Sequence, residues 1–183
     1  MPVRAEFNPD YLYFVTTKAE RHAHIFKRES IMRIILDSLH FLHTSGRMEL
    51  FCFVVMPNHI HLIGRFSLKH SLADMIRDFK RHTARQIIRQ LRAEEDVDKL
   101  GLLRDLNKHN DQDFKVWEDG YDARDVFSLG FLTQKMEYIH NNPCQVHWNL
   151  APAPEEYPWS SARFYILDEP SVIPVDDVRD LYT

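Results

Sequence analysis

Two histidines one residue apart, His59 and His61, and a distant tyrosine, Tyr138, are the side chains of this 183-residue chain best suited to chemistry. The histidines sit in the apolar stretch Phe51-Cys-Phe-Val-Val-Met-Pro-Asn-His-Ile-His-Leu-Ile-Gly-Arg65, which reads as a strand, a tight Pro-Asn turn and a second strand. Side chains alternate between the faces of a strand, so His59 and His61 share one face while Ile60 and Leu62 take the other. Two neutral imidazoles on a stiff strand make half of a divalent-metal site. A hydrogen-bonded histidine pair at a sheet edge is the other reading. Tyr138 lies in Phe131-Leu-Thr-Gln-Lys-Met-Glu-Tyr-Ile-His-Asn-Asn-Pro143, where Gln134, Tyr138 and Asn142 recur every four residues on one helical face. That spacing presents a hydroxyl and an amide oxygen together near a helix end. Leu132, Met136 and Ile139 form a separate packing stripe. Phe131 falls on the tyrosine's side, so a half-buried packing role for Tyr138 stays open.

The elements that must hold these groups follow from periodicity and end signals. Tyr11-Leu-Tyr-Phe-Val-Thr-Thr17 is rich in aromatic and β-branched residues and reads as a first strand. The His22/His24 pair that follows stands among charges and reads as an exposed loop. Ser30 is the expected cap of a helix to about Thr44, closed by Gly46, with Ile31, Ile34, Ile35, Leu39 and Leu42 inward. Strands follow over Met48–Met56 and His59–Phe66. Ser71 then caps a long helix to about Arg92, whose Leu72, Met75, Ile76, Phe79, Ile87, Ile88 and Leu91 face inward. Residues 94–113 are charged and read as a loop, and Phe114-Lys-Val-Trp-Glu118 as a short strand. Asp119–Asp125 is expected to turn back toward Val126. Ser128 opens a third helix that Asn142-Pro143 ends, because proline disfavours helical geometry in the residue before it. The order β-α-β-β-α-β plus a helix predicts an α+β fold: a ferredoxin-like antiparallel sheet with helices on one face and an added helix carrying the tyrosine.

Composition narrows the class. The chain is 44% hydrophobic and 12% aromatic, enough for a core without disulfide or metal staples. Two cysteines far apart argue against a disulfide framework and for a reducing cytoplasm. No apolar run approaches the ~18 residues of a membrane helix, and the first ten residues have no apolar signal core. Six of the nine prolines fall between Pro143 and Pro174, so residues 151–183 are expected to be an irregular extension packed on a domain spanning 1–150. The net charge of −4 is unlike that of a general nucleic-acid binder. Between Lys69 and Arg92, however, seven Lys or Arg stand against two Asp. Arg77, Arg81, Arg85 and Arg89, four residues apart, form a stripe that suits phosphate or simply a solvated face.

Pro57-Asn-His-Ile-His61 and, about eighty residues on, Tyr138-Ile-His-Asn-Asn-Pro143 resemble the motifs of the single-tyrosine HUH transposases of small insertion sequences and their REP-associated relatives. Asp78-Phe-Lys-Arg-His-Thr-Ala-Arg85 is similar to that family's basic helix, and Tyr157-Pro-Trp-Ser-Ser-Ala162 to the closing segment of the REP-associated branch. The resemblance covers roughly residues 11 to 165.

It implies that His59 and His61 hold a divalent cation, Mg²⁺ or Mn²⁺, with Asn142 as third ligand. It further implies that Tyr138 is the nucleophile. The implied substrate is single-stranded DNA beside a hairpin, cut with a 5′-phosphotyrosine link and a free 3′-OH. An ordinary phenol ionises near ~10, and a neighbouring cation favours the phenolate. Arg77, Lys80, Arg81, Arg85 and Arg89 are then candidates for the phosphate backbone, and Trp117, Tyr121 and Trp159 for base stacking. Two rival readings keep the same residues: a domesticated DNA-binding protein that no longer cuts, and a metal hydrolase in which Tyr138 only packs. Whether Tyr138 serves its own chain or a dimer partner is open at this stage, as is a homodimer against a monomer.

Overall fold

The computed structural model describes residues 7–67, 71–106 and 113–182. The first half follows the sequence pattern closely. Strand β1 (Leu12–Lys18) leads through a loop to helix α1 (Glu29–Thr44), and β2 (Met48–Met56) and β3 (His59–Phe66) form a hairpin. Helix α1 begins a residue before Ser30 and is capped by no side chain. It ends where Gly46 takes φ 67°, a left-handed turn that only glycine adopts without strain. Helix α2 (Leu72–Ala93) starts as expected, with Ser71 accepting a hydrogen bond from the Asp74 N–H.

Beyond α2 the structure departs from expectation twice. Residues 97–106 are not loop but helix α3 (Val97–Leu106), which buries Leu103 completely against the core; residues 107–112 of the expected loop lie outside the described residues. The fourth sheet strand is not Phe114–Glu118 but β4 (Asp122–Val126), which pairs with β1 from Leu12↔Val126 to Thr16↔Asp122. The earlier segment makes only a single bridge, Ala19↔Trp117. There the Trp117 ring is buried against Phe26 and Phe79, and its Nε1–H donates to Thr83 Oγ1 at 3.0 Å. Its aromatic and β-branched residues are core fillers, whereas β4 is a charged edge strand made by its partner.

Helix α4 (Leu129–Asn141) and the short α5 (Ala162–Leu167) complete the chain. The sheet order is β2-β3-β1-β4 with every neighbour antiparallel, the ferredoxin-like topology predicted from the element order. Both faces of the sheet are covered. Val15, Ile60 and Leu62 meet α1 and α2 on one side. Phe14, Val54 and Ile63 meet Leu132, Ile139 and the C-terminal segment on the other. Burial on both faces explains why β2 reads as an unbroken apolar run from Leu50 to Met56.

The Pro-rich segment shields the exposed edge of β2. Val55 N–H donates to Trp159 O at 2.9 Å, Ser161 N–H to Phe53 O at 3.0 Å, and the Tyr157 and Tyr165 hydroxyls to Val55 O and Phe51 O. Pairing of this kind removes the open donors and acceptors of an edge strand. Among the described residues, no helix is long and apolar enough to cross a membrane.

Candidate active site

The β2–β3 hairpin aims both histidines at the face that carries α4. Its turn residue Asn58 is buried and bonds in three directions. Its carbonyl accepts the Ala19 N–H, its Nδ2 donates to His22 O at 3.0 Å, and its Oδ1 lies 2.6 Å from His59 Nδ1. The bond to His22 fixes which way the amide faces, and an amide oxygen only accepts. His59 must therefore carry its proton on Nδ1, so that its lone pair is on Nε2. His61 is placed by register: it stands opposite Thr16 on β1 and Val54 on β2, and its Nδ1 is 2.8 Å from Thr16 Oγ1. The Nε2 of His61 is buried with no hydrogen-bond partner among the described residues.

Burial is the main reason both rings stay neutral. It lowers His59 to about 4, with Lys18 and His22 adding repulsion. His61 is held at about 3 by burial first, then by His59, Lys18 and Lys135. At neutral pH the strand therefore offers two uncharged nitrogen donors, with ring centroids 4.6 Å apart.

Helix α4 brings the tyrosine to them. Ser128 Oγ accepts the Phe131 N–H as its cap, and Leu132 and Ile139 dock the helix on the sheet. His140, two residues past Tyr138, is tied down behind it: its Nε2 is 2.9 Å from Ser161 Oγ and 3.2 Å from Cys52 Sγ. Burial pushes the Cys52 thiol up to about 12 and His140 down to about 4, so this knot is uncharged and locks α4, β2 and the C-terminal segment together. The lock leaves Tyr138 on the open side. It is 42% exposed, its ring 5.1 Å from that of His61 and 6.1 Å edge-on from Phe14. A residue sealed in the core could not meet a macromolecular substrate; this one can. One turn on, Asn142 is buried beside His59, and its Oδ1 has no hydrogen-bond partner among the described residues. Gln134, on the same helical stripe, is exposed.

No group of three or more His, Cys, Asp and Glu is placed to hold a metal among the described residues. The donors that do gather are two imidazoles and an amide. A buried polar atom without a partner is costly, and two such atoms, His61 Nε2 and Asn142 Oδ1, belong to this one cluster. Three neutral donors, two imidazole nitrogens and an amide oxygen, fit a divalent cation with open positions.

The basic stripe lies on the opposite side of the sheet, on α2. Arg77 pairs with Asp74 and Asp78, and Arg81 with Asp78. Lys80 donates to the carbonyl oxygens of Glu118 and Gly120, and burial lowers it to about 8. Arg85 and Arg89 are exposed and engage no described residue. Of the expected stacking residues, Trp117 is core, whereas Tyr121 and Trp159 are half-buried. Sequence reasoning missed Asn58 and Thr16 as supports of the histidines and Lys135 beside the tyrosine. The (i, i+3) spacing of Lys135 and Tyr138 was the available signal for the last.

The family model "Transposase IS200 like" matches residues 9–142. No curated protein sequence matches the chain. A solved REP-associated tyrosine transposase bound to a REP hairpin superposes with a TM-score of 0.61 at 14% identity, over 97% of this chain and 93% of the other. A candidate transposase from Deinococcus radiodurans R1 matches with a TM-score of 0.47 at 19% identity, over 77% of this chain and 96% of the other.

Proposed function

This chain belongs to the IS200-like transposase family, and from that premise we propose that it cuts and rejoins single-stranded DNA through a covalent link to Tyr138. The observation that carries the reading is the convergence, within one chain, of the exposed Tyr138 ring on His61 at 5.1 Å and of His61 on His59 at 4.6 Å.

Tyr138 Oη attacks the phosphorus of a phosphodiester. The new Oη–P bond forms as the P–O3′ bond breaks, the phenol proton leaves to solvent, and the departing 3′ oxygen takes up a proton. One phosphoester replaces another, so a second strand's 3′-OH can reverse the step and be joined without a nucleotide cofactor. Water is not required as a nucleophile. His59, His61 and Asn142 would hold the divalent ion, Mg²⁺ or Mn²⁺, which when bound polarises the phosphate and neutralises developing charge. Phe14, edge-on to Tyr138 and stacked on His61 at 5.4 Å, keeps the two rings in register. The His140 knot keeps the helix from swinging away, which supports action of the tyrosine on its own chain's histidines.

Arg85 and Arg89 are the members of the basic stripe with no partner among the described residues, and they are the ones proposed to meet a phosphate backbone. They lie behind the sheet from Tyr138, a separation that suits a substrate with a folded hairpin as well as an unpaired flank. The hairpin seen on the REP-associated relative favours that form of substrate. A binding-only protein has no use for a phenol, two imidazoles and an amide held together.

The test uses hairpin oligonucleotides with unpaired flanks and Mn²⁺, read as a protein–DNA adduct on a denaturing gel. The wild type forms the adduct and Tyr138→Phe does not. An adduct formed normally by Tyr138→Phe removes the assignment.

A further inference from the structure

We propose that Lys135 is a catalytic residue: the ammonium that binds a non-bridging oxygen of the phosphate attacked by Tyr138. The inference rests on the reading of Tyr138 as nucleophile and adds a group that no motif supplies. Lys135 stands one helical turn before Tyr138, on neighbouring positions of the α4 surface. Its Nζ lies 5.0 Å from the ring centroid of Phe14, 5.1 Å from Phe131 and 5.6 Å from Tyr138. Among the described residues, nothing hydrogen-bonds or ion-pairs with it. Its charge reaches His61, where it is one of the causes that keep the imidazole neutral.

This is an unusual place for a lysine that has only to be soluble. An ammonium ordinarily reaches into water or pairs with a carboxylate, as half-buried Lys115 does with Glu20 and Asp119. Lys135, equally half-buried, is instead perched on three aromatic rings, one of them the nucleophile's own. Ring faces hold a cation in place without neutralising it. All three N–H donors of the ammonium thus remain available for an anion.

A phosphodiester aligned for attack must bring its phosphorus to within about 3.5 Å of the Tyr138 oxygen. The Lys135 ammonium, 5.6 Å from the centroid of the Tyr138 ring and one helical turn away, is the cation on the nucleophile's own helix surface that neighbours such a phosphate. Hydrogen bonds in which both partners are charged are short and strong. A donor fixed before the reaction where negative charge grows favours the transition state over the bound ground state. Lys18 is the cation whose field reaches both histidines, whereas that of Lys135 reaches His61; but Lys18 lies on β1 opposite His59, not on the nucleophile's helix. The competing role for Lys135 is packing alone, its stem covering Phe14 and Phe131.

The two roles separate by removing charge from the substrate. A hairpin library with randomised unpaired flanks first identifies a junction that the wild type cuts. A methylphosphonate, which replaces one charged non-bridging oxygen by a methyl group, is then placed at that junction. Lys135→Met keeps the unbranched stem and good helix propensity, and thermal unfolding checks that it folds. We expect Lys135→Met to slow single-turnover adduct formation by ~10- to 100-fold on the phosphodiester but by no more than ~3-fold on the methylphosphonate. Lys135→Arg should recover most of the rate. Equal losses on both substrates, or no loss on either, overturn the inference while leaving the nucleophile standing. Absence of any wild-type adduct instead removes the Tyr138 reading, and the inference falls with it.

Discussion

Replacing Asn58 by alanine tests whether the turn residue prepares His59 to bind metal. The side chain makes two part-buried hydrogen bonds, from Nδ2 to His22 O at 3.0 Å and between Oδ1 and His59 Nδ1 at 2.6 Å. Each is worth about 1 kcal/mol net, so their loss should lower stability by roughly 1–3 kcal/mol. The effect on metal is separate. Without an acceptor at Nδ1 the ring can flip or carry its proton on Nε2, the nitrogen needed as donor. Loss of such an outer partner typically weakens metal binding ~10- to 100-fold, or about 1.4–2.7 kcal/mol. Titration calorimetry with Mn²⁺ reads the second effect, and thermal unfolding in chelator reads the first. Asn58→Asp divides them: it keeps an oxygen acceptor for His59 but loses the donor to His22. It should lose stability while holding Mn²⁺ at least as well as the wild type. Wild-type Mn²⁺ affinity in Asn58→Ala, or equal weakening in both variants, would refute the tautomer argument.

Three further outcomes are expected. Burial holds His140 at about 4, below the ~6.5 of an unfolded histidine. The unfolded chain therefore binds the extra proton first, so this contribution is complete above about pH 6.5 and is lost as the pH falls toward 4. Chemical denaturation at pH 7 and 4.5 should show a smaller acid loss for His140→Asn than for wild type, by up to about 3 kcal/mol; equal losses would remove the burial argument. Mixing Tyr138→Phe with His59→Ala should not restore adduct formation if, as proposed, each chain supplies its own tyrosine; restoration would mean that the tyrosine crosses to a partner. Arg85→Gln and Arg89→Gln should each weaken binding to single-stranded oligonucleotides and reduce the log–log salt slope by about 0.7, whereas Arg77→Gln, already paired with Asp74 and Asp78, should change it little.

Much of this arrangement was legible before any coordinates. Period-two alternation placed His59 and His61 on one side of β3, and the four-residue spacing set Tyr138 and Asn142 on one side of α4. Ser71 and Ser128 marked their helix starts because a hydroxyl cap is a local signal. What failed depended on distant partners. Asp122-Ala-Arg-Asp-Val126 has no strand-like composition and becomes β4 because β1 offers an open edge. Phe114-Lys-Val-Trp-Glu118 carries the stronger strand signal, yet its tryptophan is needed in the core against Phe26, with Thr83 as acceptor for its N–H. Helix α3 was hidden by the surrounding charges and Gly101, although Leu100 and Leu103 share its inward side. Spacing also could not decide whether Tyr138 was free. That depended on His140, whose bonds to Cys52 and Ser161 turn the other side of α4 inward.

The central claim is that the phenol beside the histidine pair is the atom that takes the DNA. After reaction with a cleavable hairpin oligonucleotide, nuclease and protease digestion followed by tandem mass spectrometry locates the residual nucleotide on the protein. A nucleotide joined through its 5′ phosphate to Tyr138 is the predicted result. The same mass on Tyr157, on a serine of the closing segment, or on no residue despite cleavage of the strand would contradict it.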